Sequence, residues 1–269
     1  DEMSGRIYHA AALPTIGADG AGSAMRDAMV AREIASVREE ALEHDYKELT
    51  IPPRAGQHAL EPDALHIWPR GGFMLIALPN PDGSFTATMF LARRGENSFE
   101  QLTDAAAVDA FFSREFPSAR ALMPDLASEF FAHPQGSLGT VYTRGWHLNG
   151  ELLLLGDAAH AIVPFHGQGM NCAFEDCVEL LRLMDEHHGW AGLFEGFEQQ
   201  RRPNTDAIAR MALENYVDMR ASVLDPDYRR RKEEAQQRER QDPNALSRYS
   251  MVMFHPEIGY AEALRRSGG

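Results

Sequence analysis

The chain has 269 residues, 44% hydrophobic and 25% charged, the balance of a folded globular protein with room for one large domain or two smaller ones. Forty acidic against 26 basic residues leave a formal charge of −14, which argues against nucleic acid or an anionic lipid surface as a partner. No apolar run approaches the roughly 20 residues a membrane-spanning helix needs, and no signal peptide is recognisable. The two cysteines, Cys172 and Cys177, point in different directions on one predicted helix; a reducing, cytoplasmic setting is the simplest expectation. The eleven histidines lack a metal-site spacing, so no metal is expected.

In chain order, Thr15 to Arg26 reads TIGADGAGSAMR. A short apolar entry leads into glycines beside Asp19, then a helix bearing Arg26; a tight glycine turn is the plain reading. Residues 31–45 read as a charged helical linker. Strands are expected at Tyr46–Ile51, Leu65–Trp68, Phe73–Leu78 and Phe85–Leu91, separated by Pro- and Gly-rich turns. They predict an antiparallel sheet with one apolar face, which could pack a core, roof a flat aromatic ligand, or both. Residues 96–135 read as helices, with Phe99–Phe116 amphipathic and breaks at Pro117 and Pro124. Leu138–Trp146 is a returning strand.

The most informative stretch is Glu151 to Cys177, ELLLLGDAAHAIVPFHGQGMNCAFEDC. Leu152–Leu155 has the length of a strand buried on both faces. It ends at Gly156-Asp157, placing a carboxylate at the carboxyl end of a strand, where open α/β sheets bind ligands. The loop 163–169 follows, then a helix over Met170–Met184 with Ala173, Phe174, Cys177, Leu180, Leu181 and Met184 on one stripe. Gly167 and Gly169 leave the backbone bare at the helix start, where unpaired N–H groups and the positive dipole end would receive an anion or an electron-rich ring oxygen. Asp157 would accept hydroxyl donors. A lone Gly-Asp is usually a cap; the combination suits a nucleotide-like cofactor with a polyol chain. His166 tempts as a base, but no neighbour in sequence offers an orienting carboxylate, so a pocket-lining role is favoured.

Residues 189–224 predict two helices split near Pro203. In the second, Ile208, Met211, Ala212, Asn215 and Met219 line one side, with Asn215 a polar group at an otherwise apolar spacing, read from the residues as a hydrogen-bonded surface or core amide. Asp225–Gln241 is a charge-dense, solvated helix. Tyr249 offers a phenol near an apolar patch in Arg248–Phe254.

The string PFHGQGMNCAFEDC after Gly156-Asp157 resembles the second flavin-binding motif of the FAD-dependent aromatic hydroxylases, the group A flavoprotein monooxygenases. The order G-A-D-G-x-x-S-x-x-R resembles that family's middle motif, near the cofactor pyrophosphate. YKELTIP, ALHIWPRGGFMLIALPN and DGSFTAT resemble the substrate sheet of its kynurenine-hydroxylating branch. The resemblance runs from Thr15 to Ala263 with the motifs in order. It implies an α/β (α+β) fold: a Rossmann-like, glutathione-reductase-type FAD domain over 1–40 and 147–200, an antiparallel substrate domain over 41–146, and a helical region over 201–269. It implies FAD as cofactor, with NADPH and O2 as co-substrates, and hydroxylation of L-kynurenine to 3-hydroxykynurenine in tryptophan degradation. Another aromatic substrate, or a chain unable to hold FAD, are the alternatives. By resemblance the cofactor contacts are Asp19, Gly156, Asp157, Gly167, Gln168, Gly169, Met170 and Asn171. The substrate contacts are Arg6, Asn215, Tyr249, Pro164, Phe165 and His166, and no residue is assigned a catalytic step. The family's opening strand, GxGxxG turn and helix are missing: Gly167-x-Gly169 continues as Met-Asn-Cys, which is not that fingerprint. Five residues between His9 and Thr15 stand where the family carries a long stretch. An incomplete FAD domain is therefore expected, with no membrane anchor at the terminal AEALRRSGG.

Overall fold

The computed structural model describes residues 14–220, 225–242 and 245–268. Strand β1 (Thr15–Gly17), helix α1 (Ala24–Val30) and strand β2 (Ser36–Ile51) open the described chain. Strands β3 (His66–Pro69), β4 (Met74–Pro79) and β5 (Phe85–Ala92) follow. After a 3-10 turn at Phe99–Gln101 come α2 (Ala105–Glu115), α3 (Pro117–Arg120) and α4 (Leu126–Ala132). Then come β6 (Gly136–Arg144), β7 (His147–Leu148), β8 (Leu152–Leu154), α5 (Asp157–His160), a second 3-10 turn at Pro164–His166, and α6 (Gly169–Glu186). The remaining helices are α7 (Trp190–Arg220), α8 (Pro226–Gln241), α9 (Arg248–Phe254) and α10 (Tyr260–Arg266). Two compact units emerge among the described residues: those of 14–40, 139–213 and 246–268 form the first, and those of 41–138 and 214–245 the second.

The second unit is built on a five-stranded sheet in the order β3-β4-β5-β2-β6. Its registers set Leu49 and Ala77 opposite Ala87 on adjacent strands. Side-chain alternation puts Leu49, Ile51, Leu75, Ala77, Phe85, Ala87, Met89 and Leu91 into one core with α2 to α4, which contribute Val108, Phe111, Phe112, Phe116, Leu126 and Phe130. Asp104 caps α2 by accepting from the Ala107 N–H at 2.8 Å. Pro117 at the start of α3 ends α2 one residue earlier, because the residue before a proline is pushed out of the helical region. This apolar face is filled by the unit's own helices. It is not free to roof a ligand; the opposite face, with Ile76, Leu78, Thr86 and Thr88, is the one left over.

Two sequence expectations give way. Residues 31–45 are not a helix: a turn leads into β2, which runs back to Ser36. Eight register pairs lock His44–Ile51 against β5 and the sheet order flanks β2 with β6, so ladder pairing outweighs the helix propensity of the Glu-, Ala- and Arg-rich segment. Pro203 does not split two helices; α7 is a single 31-residue helix with Pro203 inside it. An internal proline costs about 3 kcal/mol. Burial on both sides offsets this, through Phe194, Phe197 and Arg201 before it and Thr205, Ala207 and Ile208 after it.

The first unit holds a three-stranded sheet, β1-β8-β7, with β1 parallel and β7 antiparallel to β8. Leu153 and Leu154 of β8 are fully buried with Met29, Trp146, Ala158, Leu180, Leu183, Phe194 and Phe197. A second cluster joins Cys172 of α6 and Ile208 and Met211 of α7 to Met251, Val252, Tyr260 and Ala263. Helix α6 does not bury the stripe expected from its apolar residues. Cys172, Asp176, Leu180 and Leu183 face inward. Phe174, Leu181 and Met184 are exposed, together with Met170 and Val178. The reason is Asp176, whose partners lie inside the unit. Among the described residues no helix is long and apolar enough to cross a membrane.

Phe112, fully buried among Phe111, Phe116 and the sheet, tests the second unit's core. Phe112→Ala is expected to cost about 3–5 kcal/mol, read as a lowered urea midpoint; an unchanged midpoint would contradict this packing.

Candidate functional site

The site begins where β8 ends. Gly156 has φ +61° and ψ −140°, a conformation that favours glycine. A Cβ there would also stand 3.2 Å from the Ala173 Cβ, so the turn lies directly on α6. The Gly156 N–H donates to Asp176 Oδ2 at 3.0 Å. Asp157 then opens α5. It is exposed, and its carboxylate makes no hydrogen bond or ion pair among the described residues, so it is available to accept hydroxyl donors.

The glycine turn near the start of the described chain is tied to the same place. Arg26 is buried; Nη1 donates to the Ala158 carbonyl at 3.1 Å and Nη2 to the Ala21 carbonyl at 2.6 Å. Asp19 accepts from Ser23 Oγ at 2.5 Å and from the Met25 N–H at 3.1 Å. Burial alone would raise its carboxyl, but these donors outweigh it and hold the group below the usual range. Asp19 thus orders the turn and the start of α1, where Ser23 caps by accepting from the Arg26 N–H.

The loop between α5 and α6 is held by the Val141 N–H, which donates to the Ala161 carbonyl at 2.8 Å. It turns through Pro164–His166 and then through Gly167, left-handed at φ +66°. Among the described residues no side chain caps α6. Its N-cap residue, Gln168, is buried with its amide engaged elsewhere: Oε1 accepts from Tyr260 Oη and Asn171 Nδ2, both at 3.1 Å, and Nε2 lies 3.1 Å from Met253 Sδ. The first turn's N–H groups, at Gly169, Met170 and Asn171, precede the first intrahelical bond, Cys172 N–H to the Gln168 carbonyl at 2.8 Å. The resulting N–H cradle with its dipole suits an anionic or electron-rich edge.

His166 is buried and its Nδ1 has no hydrogen-bond partner among the described residues. Its ring stacks on Tyr249 at 6.1 Å between centroids and 22° between planes. Burial, with Arg248 adding positive charge, holds its pKa below the ordinary value. Phe165 is buried beside it, while Pro164 and Tyr249 are exposed. Of the expected substrate contacts, Pro164, Phe165, His166 and Tyr249 therefore belong to the first unit. Asn215 belongs to the second, where its Nδ2 lies 3.5 Å from Met219 Sδ. Arg6 lies outside the described residues.

Sequence reasoning missed the charged cluster beneath this surface. Asp176, fully buried, accepts from His160 Nε2 at 2.6 Å and from Arg201 Nε at 2.7 Å as well as from Gly156. Burial pushes its carboxyl up, but the hydrogen bonds and charges of His160 and Arg201 more than reverse this and keep it ionised. Arg201 also donates to the Cys172 carbonyl at 3.1 Å and to Glu175 at 3.1 Å. Trp146, itself buried, lies against His160 with ring centroids 5.1 Å apart. Burial pushes the neighbouring Cys172 thiol up to about 12, so it stays protonated and inert. The available signal was spacing: position 176 falls on the helical stripe of Cys172, Leu180 and Leu183, an acid where an apolar residue is expected.

A bare helix start, an open carboxylate on the turn packed against that helix, and a glycine turn tied in by Arg26 lie together on one α/β unit. The sequence profile of the FAD binding domain family matches residues 1–212, and the chain belongs to that family. It is 50% identical over 254 residues to the kynurenine 3-monooxygenase of Stenotrophomonas maltophilia (strain K279a), covering 94% of this chain and 56% of that protein. It is 49% identical to that of Myxococcus xanthus (strain DK1622), covering 94% of this chain and 55% of that protein. The chain thus spans about half the length of the curated relatives it matches. Similar solved structures include the tetrameric form of 2-methyl-3-hydroxypyridine-5-carboxylic acid oxygenase, with TM-score 0.63, 19% identity, and coverage of 79% of this chain and 57% of that one. Klebsiella pneumoniae HpxO complexed with FAD and uric acid gives TM-score 0.59 at 19% identity, covering 85% and 56%; both speak to fold alone.

The lowered pKa of His166 has a consequence for stability. The unfolded chain takes up that proton near the ordinary value of 6.5, the folded chain only below it. Stability is therefore expected to fall as pH drops below about 6.5, with buried His44, also lowered by burial, contributing in the same direction. His166→Phe keeps a ring on Tyr249 and should shrink the difference in urea midpoint between about pH 7.5 and 5.5; an equal difference in both proteins would remove His166 from this account.

Proposed function

We propose that this chain carries the ribityl- and ring-binding part of the FAD site, with the substrate sheet, of an aromatic hydroxylase acting on L-kynurenine. The observation that carries the reading is the packing of the Gly156-Asp157 turn against an uncapped α6. It presents an open carboxylate and bare N–H groups on one local framework. Both fit FAD: Asp157 would accept the ribityl hydroxyls, and the Gly169, Met170 and Asn171 N–H groups would face the electron-rich edge of the ring. Gly167 adds no side chain on the approach. Gln168, whose amide is spoken for, would act by fixing the helix start and not by direct donation. Asp19 would serve the pyrophosphate region through the turn it orders.

When bound, FAD would supply the redox chemistry, with NADPH as electron donor and the two oxygen atoms of O2 going to the ring hydroxyl and to water. The protein's own part is positioning and exclusion of water. Phe165 and His166 would give the ring side an apolar, water-poor border next to Pro164. Arg6, Asn215 and Tyr249 would recognise the amino-acid end, supplying a cation, an amide and a phenol that match a carboxylate and polar substituents. The relatives' names support kynurenine as the substrate and 3-hydroxykynurenine as the product. The two free thiols accord with a reducing, cytoplasmic setting.

The test is retention of flavin. The purified chain mixed with FAD and desalted should carry stoichiometric yellow flavin, and Asp157→Ala should weaken affinity about ten-fold or more, the worth of one charge-assisted hydrogen bond. NADPH oxidation stimulated by L-kynurenine, with the hydroxylated product formed, would mark the substrate; a colourless chain would sink the cofactor reading, and stimulation only by other aromatics would sink kynurenine.

A further inference from the structure

The Asp176 cluster has no role in the reading above, which concerns groups that face the cofactor. Its connections are nevertheless specific to the turn that bears Asp157. Asp157 and the rest of α5 are bracketed: the residue before Asp157 donates its backbone N–H to Asp176, and the residue three later, His160, meets the same oxygen with Nε2 at 2.6 Å. Between them, the Ala158 carbonyl is held by Arg26. The second Asp176 oxygen is taken by Arg201 Nε, and the same guanidinium reaches the Cys172 carbonyl, in the first turn of α6. One buried carboxylate therefore fixes both halves of the cofactor surface: the acidic turn and the helix whose N–H groups are bare. A fully buried ion pair is no better for stability than well-packed apolar residues, so stability alone does not account for choosing an acid here.

We propose that Asp176 is a positioning residue, holding the Asp157 carboxylate in register with the amino end of α6 so that both can engage one cofactor. The proposal rests on the reading of Asp157 as a flavin contact. It also predicts that the contributions of the two aspartates to flavin affinity are coupled, since Asp176 acts through the place it gives Asp157.

The experiment is a double-variant cycle on FAD affinity, measured by quenching of flavin fluorescence, with near-ultraviolet circular dichroism confirming that each protein is folded at the temperature used. Asp157→Ala and Asp176→Asn are each expected to weaken binding about ten-fold, and the double variant to be little weaker than either, not about 100-fold weaker as independent sites would be. Independent additive losses, or wild-type affinity in folded Asp176→Asn, would overturn the proposal. His160→Gln, which releases one bracket and leaves the Asp176–Arg201 pair, guards against a variant that fails to fold. It should weaken binding several-fold and speed amide hydrogen exchange in the segment 155–161 of the FAD-free chain; wild-type values for both would overturn the proposal even if Asp176→Asn is unfolded. If Asp157→Ala binds FAD as tightly as the wild type, the cofactor reading fails first and the positioning role with it.

Discussion

A carboxylate with no exposed surface stays ionised only where the protein replaces the hydrogen bonds of water, and the first unit is arranged to do this for Asp176. One backbone N–H, one imidazole and one guanidinium converge on its two oxygens. They come from three different elements: the turn after β8, the short α5, and α7. Removing a partner from such a buried pair typically costs about 3–5 kcal/mol, so these elements are held to one another through Asp176. The constraint also sets how α6 is turned. With Asp176 inside, Cys172, Leu180 and Leu183 follow it inward, and the equally apolar Met170, Phe174, Val178 and Leu181 are turned outward. On this helix polarity and burial are locally inverted.

That inversion explains where the sequence could and could not be read. Alternation and turn spacing together located β3, β4 and β5 to within a residue or two, because β4 and β5 send apolar residues such as Leu75, Ala77, Ala87 and Met89 into the core and turns bound each strand. The turn at Gly156-Asp157 and the start of α6 were equally plain, not from the Gly-Asp pair alone but from the apolar run before it and the glycine-bearing loop after it. The stripe of α6 was misread because apolar side chains lie on both of its faces, and periodicity cannot say which face a buried ion will claim. The full extent of β2 and the passage of α7 through Pro203 were hidden for a related reason. Both are decided by distant partners, the neighbouring strands in one case and core residues on either side of the proline in the other.

The two aspartates singled out at the outset hold different states. Asp19 has spent its acceptors on Ser23 and Met25 and works as an internal brace for the glycine turn. Asp157 has spent none and stands exposed at the head of α5. The side chains of Gln168 and Asn171 are both engaged, Asn171 donating to Gln168, which also meets Tyr260 and Met253, leaving the backbone of the helix start as the feature offered outward. A rigid inner layer and an unengaged outer layer are what a preorganised binding surface requires.

The indole of Trp146 sits at the back of this layer. Its Nε1 donates to the Thr143 carbonyl at 2.8 Å and its ring rests against His160. Of the chain's three tryptophans, Trp190 is exposed and Trp68 belongs to the other unit and is only partly buried. Indole emission responds to charge and polarity beside the ring. The protein thus contains a native optical gauge: a blue-shifted component of its fluorescence belongs to the floor of the acidic turn, and its wavelength would register any loosening there without a label.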